Sequence, residues 1–153
     1  MLNQINHANA SVTPFDGTFQ DVMALLEEAR EYARGRVYDE PANTDGGADT
    51  PSQVTSRIKV TATREALRVT SRLTQCLAWL LLQRDIQEGE LASEAALEPE
   101  NRLSGESICA ERGGEDDEEL PDALRTLLRD SRKLYQRLER LDIDVAAAVG
   151  SDS

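Results

Sequence analysis

The sequence predicts an all-α protein: a three-helix bundle with flexible termini and long inter-helix linkers. Three observations carry that expectation. Apolar residues recur at alternating spacings of three and four in three separate stretches, the period of a helix with one buried stripe. No stretch alternates with the period of a strand, and no repeat of solenoid length is present. Aromatic residues are only 4% of the 153, which disfavours a β-sandwich core and fits one built of Leu and Ala.

Residues 1–17 form a polar head, expected to be flexible, and the bundle occupies 18–142. Thr18 is a candidate N-cap for the first helix, with Asp21 as its first-turn acid. Phe19, Val22, Leu26, Ala29 and Ala33 supply its stripe, and Gly35 is the expected stop, giving a helix over about 18–34. In the linker 36–53, residues 36–49 have no sustained period. Thr50, Pro51 and Gln53 then have the spacing of a capping box with Pro at the first helical position. The second helix is expected over about 54–88, firmer from Thr61 because its first turns are rich in β-branched residues. Its core stripe is Ala62, Ala66, Val69, Leu73, Cys76 and Leu80, and Gly89 ends it.

The linker 89–119 holds a short helix capped by Ser93 and closed before Pro99, then an acidic run, Glu115 to Glu119, expected to be solvated. The third helix, about 121–141, opens on Pro121. It carries Leu120, Leu124, Leu127, Ser131, Leu134, Leu138 and Leu141 at heptad spacing. Residues 143–153 read as a flexible tail.

Residues 73–83, "LTQCLAWLLLQ", are uncharged in a chain of net charge −12, and the apolar character runs nearly all round the helix. Opposite the core stripe lie Arg64, Arg68 and Arg72, then Gln75, Trp79, Leu82 and Ile86. Burying a large apolar side chain is worth roughly 1.5–3 kcal/mol, so Trp79, Leu82 and Ile86 call for a cover. Two covers fit. One is the chain itself, through Leu91, Leu97, Leu103 and Ile108; the other is a second copy in a two-fold contact. Trp79, Leu82 and Ile86 are therefore the candidate self-association residues. Arg64, Arg68 and Arg72 are either surface ion-pair partners or a basic strip for docking an acidic partner. Met23 and Tyr32 read as core or rim of the first helix.

Other function classes find little support. The single histidine, His7, lies in the head, and Cys76 and Cys109 have no metal-site spacing, so no catalytic, cofactor or metal site is expected. The apolar run is about half the length of a membrane span, and there is no signal-peptide pattern. The acidic balance opposes nucleic-acid binding. A reduced, cytoplasmic protein with protein partners is the expectation.

"RVTSRLTQCLAWLLLQRDIQEGEL" (68–91) resembles the central helix of the RcdA family, regulators of CtrA degradation. "FQDVMALLEEAREY" (19–32) resembles that family's first helix and "LPDALRTLLRDSRKLYQRLERLD" (120–142) its third. The resemblance rests most specifically on Arg68, Arg72, Leu73, Gln75, Trp79, Leu80 to Arg84, Glu88 and Gly89. It implies a three-helix homodimer from alphaproteobacteria without enzymatic activity. It further implies an adaptor that helps deliver a CtrA-like cell-cycle response regulator to the ClpXP protease. The implied partners are ClpXP with its priming response regulator, a cyclic-di-GMP effector protein and the degradation substrates. The alternative is a helical chaperone or assembly factor that shields a single client protein.

Overall fold

The computed structural model describes residues 15–38, 51–103, 109 and 111–152. Three α-helices dominate: α1, Asp16–Tyr38; α2, Pro51–Gln87; and α3, Asp122–Ser151. Two short 3-10 turns, Ser93–Leu97 and Pro99–Asn101, lie between α2 and α3. No strand occurs among the described residues. The three helices pack on one another around a core of Val22 and Leu25 from α1, Val69, Leu73, Cys76 and Leu80 from α2, and leucines of α3.

The stripe expected on α2 is the one buried, with Ala62, Val69, Leu73, Cys76 and Leu80 inside and Ala66 packed at the edge. Its 37 residues make a rod of about 55 Å, the spine of the molecule. The β-branched first turns are helical from Pro51 onward. Thr63 and Thr70 donate their hydroxyls to the carbonyls of Lys59 and Ala66 one turn back, at 2.9 and 3.1 Å. The stop is at Gly89, whose φ of 80° belongs to the left-handed region. There the amides of Glu90 and Leu91 turn back to the Asp85 carbonyl, satisfying the last turn. Thr50, the expected cap of α2, lies outside the described residues, as do His7 and Ile108.

Several local expectations are corrected. α1 begins at Asp16, so Thr18 is inside its first turn rather than capping it, and the Thr18 hydroxyl accepts from Arg137 of α3 at 3.0 Å. The same Arg137 guanidinium reaches Asp21 at 2.7 Å, tying α1 to α3. Gly35 does not stop α1: its φ is not positive and the helix continues to Tyr38. Ala33 is exposed, and Leu25, outside the expected stripe, is a core residue of α1. Ser93 is the first residue of the 3-10 turn, and Ala92 precedes it without a side-chain cap.

The largest correction is at the C-terminal end. α3 continues ten residues past 141, to Ser151. Three consecutive alanines, Ala146 to Ala148, supply helix propensity there, and Val145 packs against the core. The buried carboxylate of Asp142 anchors the extension. It accepts from Trp79 Nε1 and Arg102 Nε, both at 2.9 Å, and from the Leu103 amide at 3.2 Å. One carboxylate thus joins α2, the connection and α3. Such buried charge-assisted bonds are worth more than neutral ones, and losing the acceptor would orphan three donors.

Cys76 and Cys109 are both buried and not bridged to each other. Burial, reinforced by neighbouring Cys109, pushes the Cys76 thiol up from its ordinary 9.0 to about 12. A pKa raised on folding favours the protonated, folded form, so this contribution is complete below pH 9 and is lost as pH climbs from 9 towards about 12. In urea titrations across that range, the wild type should lose stability relative to Cys76→Ala. A gap independent of pH would contradict the burial of this thiol.

Candidate protein-docking surfaces

The arginines of α2 do not form a strip on one face. Four residues advance a helix by 400°, so each step of four rotates a side chain about 40° further round. Arg64 stays outside with 67% of its side chain exposed, Arg68 falls to 9%, and Arg72 is wholly buried. The expected basic docking strip is therefore corrected: Arg68 and Arg72 face the protein's own connection between α2 and α3.

Arg72 is the hub of that contact. Its Nε donates to the Cys109 carbonyl at 2.8 Å, and its terminal nitrogens donate to the carbonyls of Leu128 at 2.9 Å and Glu111 at 2.6 Å. The Ser131 hydroxyl lies 3.4 Å away and a Glu115 carboxylate oxygen 3.6 Å away. Burial lowers the Arg72 pKa from its ordinary value and Glu115 opposes that shift, but a guanidinium stays charged. The acidic run is thus not uniformly solvated, since its first member, Glu115, is buried beside this cation, while Asp116, Glu118 and Glu119 are exposed.

Two turns earlier on α2, buried Glu65 accepts from Arg68 Nε and from the Gly114 amide, both at 3.1 Å. A Cβ at Gly113 would lie 2.3 Å from the Glu65 carboxylate, and one at Gly114 2.5 Å from Leu120. Glycine is what lets the connection lie this close to α2. The Gly113-Gly114 pair just ahead of the acids was the one sequence signal for this approach.

Trp79 is covered by its own chain. It is 2% exposed, with Phe15 against it edge-on at 5.4 Å between ring centroids and its indole N–H held by Asp142. Phe15 thus belongs to the fold rather than to a loose head. Residues Glu100 to Leu103 flank the indole's outer side, where Leu82 also sits half-buried. Of the leucines expected to fold back, Leu103 is buried, whereas Leu91 and Leu97 remain exposed. Ile86 is half-buried and Met23 is exposed.

The face of α2 that turns outward is of a different kind. Between residues 65 and 83 the charged side chains are Glu65, Arg68 and Arg72, all buried. The exposed residues there are Leu67, Thr70, Ser71, Thr74, Gln75, Ala78 and Leu81. This uncharged ridge runs about 20 Å along the helix, in a chain in which 30% of residues are charged. Leu67 is 63% and Leu81 41% exposed, with Val60 one heptad earlier at 70%. Leucines separated by small residues are suited to close helix–helix approach. Among the described residues no group of His, Cys, Asp and Glu could hold a metal ion. No helix among them is long and apolar enough to cross a membrane.

These positions separate by substitution. Arg72→Leu should lower stability by roughly 3–5 kcal/mol, the usual cost of stranding a buried charge partner and several carbonyls. Arg64→Leu should stay within about 0.5 kcal/mol. Equal effects in urea titrations would show that the burial gradient along α2 is wrong.

The comparisons with known proteins agree with this architecture. A family model described as protein of unknown function (DUF1465) matches residues 6–152. The crystal structure of RcdA from Caulobacter crescentus CB15 is similar with a TM-score of 0.60 and 30% identity, over 87% of this chain and 91% of that one. No curated protein matches. The chain is an RcdA-like protein and belongs to the DUF1465 family.

Proposed function

We propose that this chain is a non-enzymatic, cytoplasmic adaptor of regulated proteolysis that acts as a homodimer. It helps deliver a CtrA-like response regulator to ClpXP, together with the protease's priming response regulator and a cyclic-di-GMP effector protein. The observation that carries the reading is the uncharged outer ridge of α2, a docking surface on a rigid helix whose other side is locked by Arg72 and Trp79. Its likeness to RcdA supports the adaptor class. An adaptor needs no catalytic group, because tethering alone raises the local concentration of a substrate at the protease.

Self-association is assigned to the ridge centred on Leu67 and Leu81, with half-buried Leu82 and Ile86 at its border. Trp79 supports it from beneath without touching the second copy. Two such ridges related by a two-fold axis would meet face to face. Of Arg64, Arg68 and Arg72, exposed Arg64, at the N-terminal end of the ridge, is the one placed to steer an acidic partner.

Leu67→Asp with Leu81→Asp tests this, since both side chains are exposed and the fold should tolerate the change. The expected result is an unchanged thermal melt and a light-scattering mass that drops to the monomer. Degradation of the response regulator in a reconstituted reaction should slow at least about tenfold. Unchanged mass and unchanged degradation would refute the assignment, and retention of a single client without protease subunits in a pull-down would favour a chaperone instead.

A further inference from the structure

The outer face of α3 is as polarised as that of α2, but by charge. Residues 125–140 contain six cations, Arg125, Arg129, Arg132, Lys133, Arg137 and Arg140, against two anions, Asp130 and Glu139, in a chain of net charge −12. The core of α3 is Leu124, Leu127, Leu128, Leu134, Tyr135 and Leu138, which turns Arg129 and Arg140 to the opposite side and sets half-buried Arg125, Arg132 and Gln136 along its edge. Their spacings of four, three, four and four make a continuous row, with Lys133 beside it. Arg129, Lys133 and Arg140 are exposed. Arg137 is taken up by Asp21 and Arg125 by Asp122, while the buried Arg132 Nε has no hydrogen-bond partner among the described residues. Asp130 and Glu139 lie on the flanks of the row, and exposed Asp122 and Asp144 mark its two ends.

We propose that this row is a docking ridge for an acidic segment of a partner protein. Its shape selects the partner. The row is one side chain wide and about 22 Å long, which suits a short helix carrying Asp or Glu at three- and four-residue spacing. A nucleic-acid duplex or an anionic bilayer extends beyond the row. It would meet the acidic body of the molecule within the Debye length of about 8 Å. A short peptide lying along α3 can set its acids over the cations, with Asp130 and Glu139 only at the flanks and Asp122 and Asp144 only at the ends. This surface is separate from the uncharged ridge of α2, and the inference goes beyond the adaptor reading without depending on it.

The test uses the full chain and a fluorescein-labelled acidic helical peptide of about 16 residues, long enough to span the row. A control peptide carries Gln in place of every Glu. Anisotropy should show saturable binding of the acidic peptide alone, weakened at least about tenfold between low and physiological salt. Arg129→Glu with Lys133→Glu and Arg140→Glu should weaken binding at least about tenfold, and the neutral triple Ala variant should weaken it by about threefold while keeping the wild-type melt. Leu67→Asp with Leu81→Asp should leave peptide binding intact, so that failure of the α2 assignment and failure of this one are distinguishable. The proposal is overturned if wild-type protein ignores the acidic peptide or if the triple Ala variant binds as tightly as wild type. It is also overturned if duplex DNA or phosphatidylserine vesicles bind more tightly than the peptide. A shift in light-scattering mass caused by the triple Ala variant would instead make the row a contact between copies, and would equally overturn it.

Discussion

The buried guanidinium of Arg72 is the constraint around which the rest of the bundle is arranged. A charge taken out of water must find its partners in the protein, and here they come from two elements at once. The carbonyls of Cys109 and Glu111 belong to the connection, that of Leu128 to α3, and Glu115 supplies the countercharge. Buried ion pairs often contribute little net stability compared with apolar residues of equal volume. Their stronger effect is to make alternative packings expensive, since any arrangement that displaces the connection leaves the cation unpaired. Glu115 underlines the point, because its carboxylate oxygens are buried and make no hydrogen bond among the described residues, leaving Arg72 as their compensation.

A second polar tie lies further along the spine. Asp142 gathers the Trp79 indole, the Arg102 guanidinium and the Leu103 amide, and so fixes both the path of the connection and the extra turns of α3. Together the two ties assign the circumference of α2. One side packs the apolar core, the adjoining side receives the connection through Glu65, Arg68, Arg72 and Trp79, and the outward side is left with Leu67, Ser71, Thr74, Ala78 and Leu81. A segment greasy nearly all the way round thus serves the core on one side and the connection on a second, and leaves an uncharged ridge on the third.

The helices, the apolar stripe of α2 and the stop at Gly89 were legible because period and turn chemistry are local properties. What escaped depends on long-range partners. A row of arginines reads as solvated unless one knows that a glycine pair will bring the chain back over it, and Glu115 reads as one more surface acid for the same reason. Asp142 looks like the polar end of a heptad, yet it is a buried acceptor of three hydrogen bonds, and without it the alanine-rich tail had no visible anchor. The indole's cover was left open by its own sequence neighbours, since Phe15 stands more than sixty residues away. The family resemblance concentrated on Arg68, Arg72 and Trp79, three residues that the structure shows to be architectural.

The division of labour follows from this geometry: buried polar groups specify one arrangement of three helices, and the faces they leave outside differ in chemistry. Hydrogen exchange on wild-type protein and on Arg72→Lys tests the central constraint most directly, because lysine keeps the charge but lacks the planar fork that reaches several carbonyls. The amides of Gly114, Asp117 and Leu120, hydrogen-bonded in the connection, should lose protection in the lysine variant well before those of α1. Unchanged protection across 111–120 would contradict the role given to Arg72.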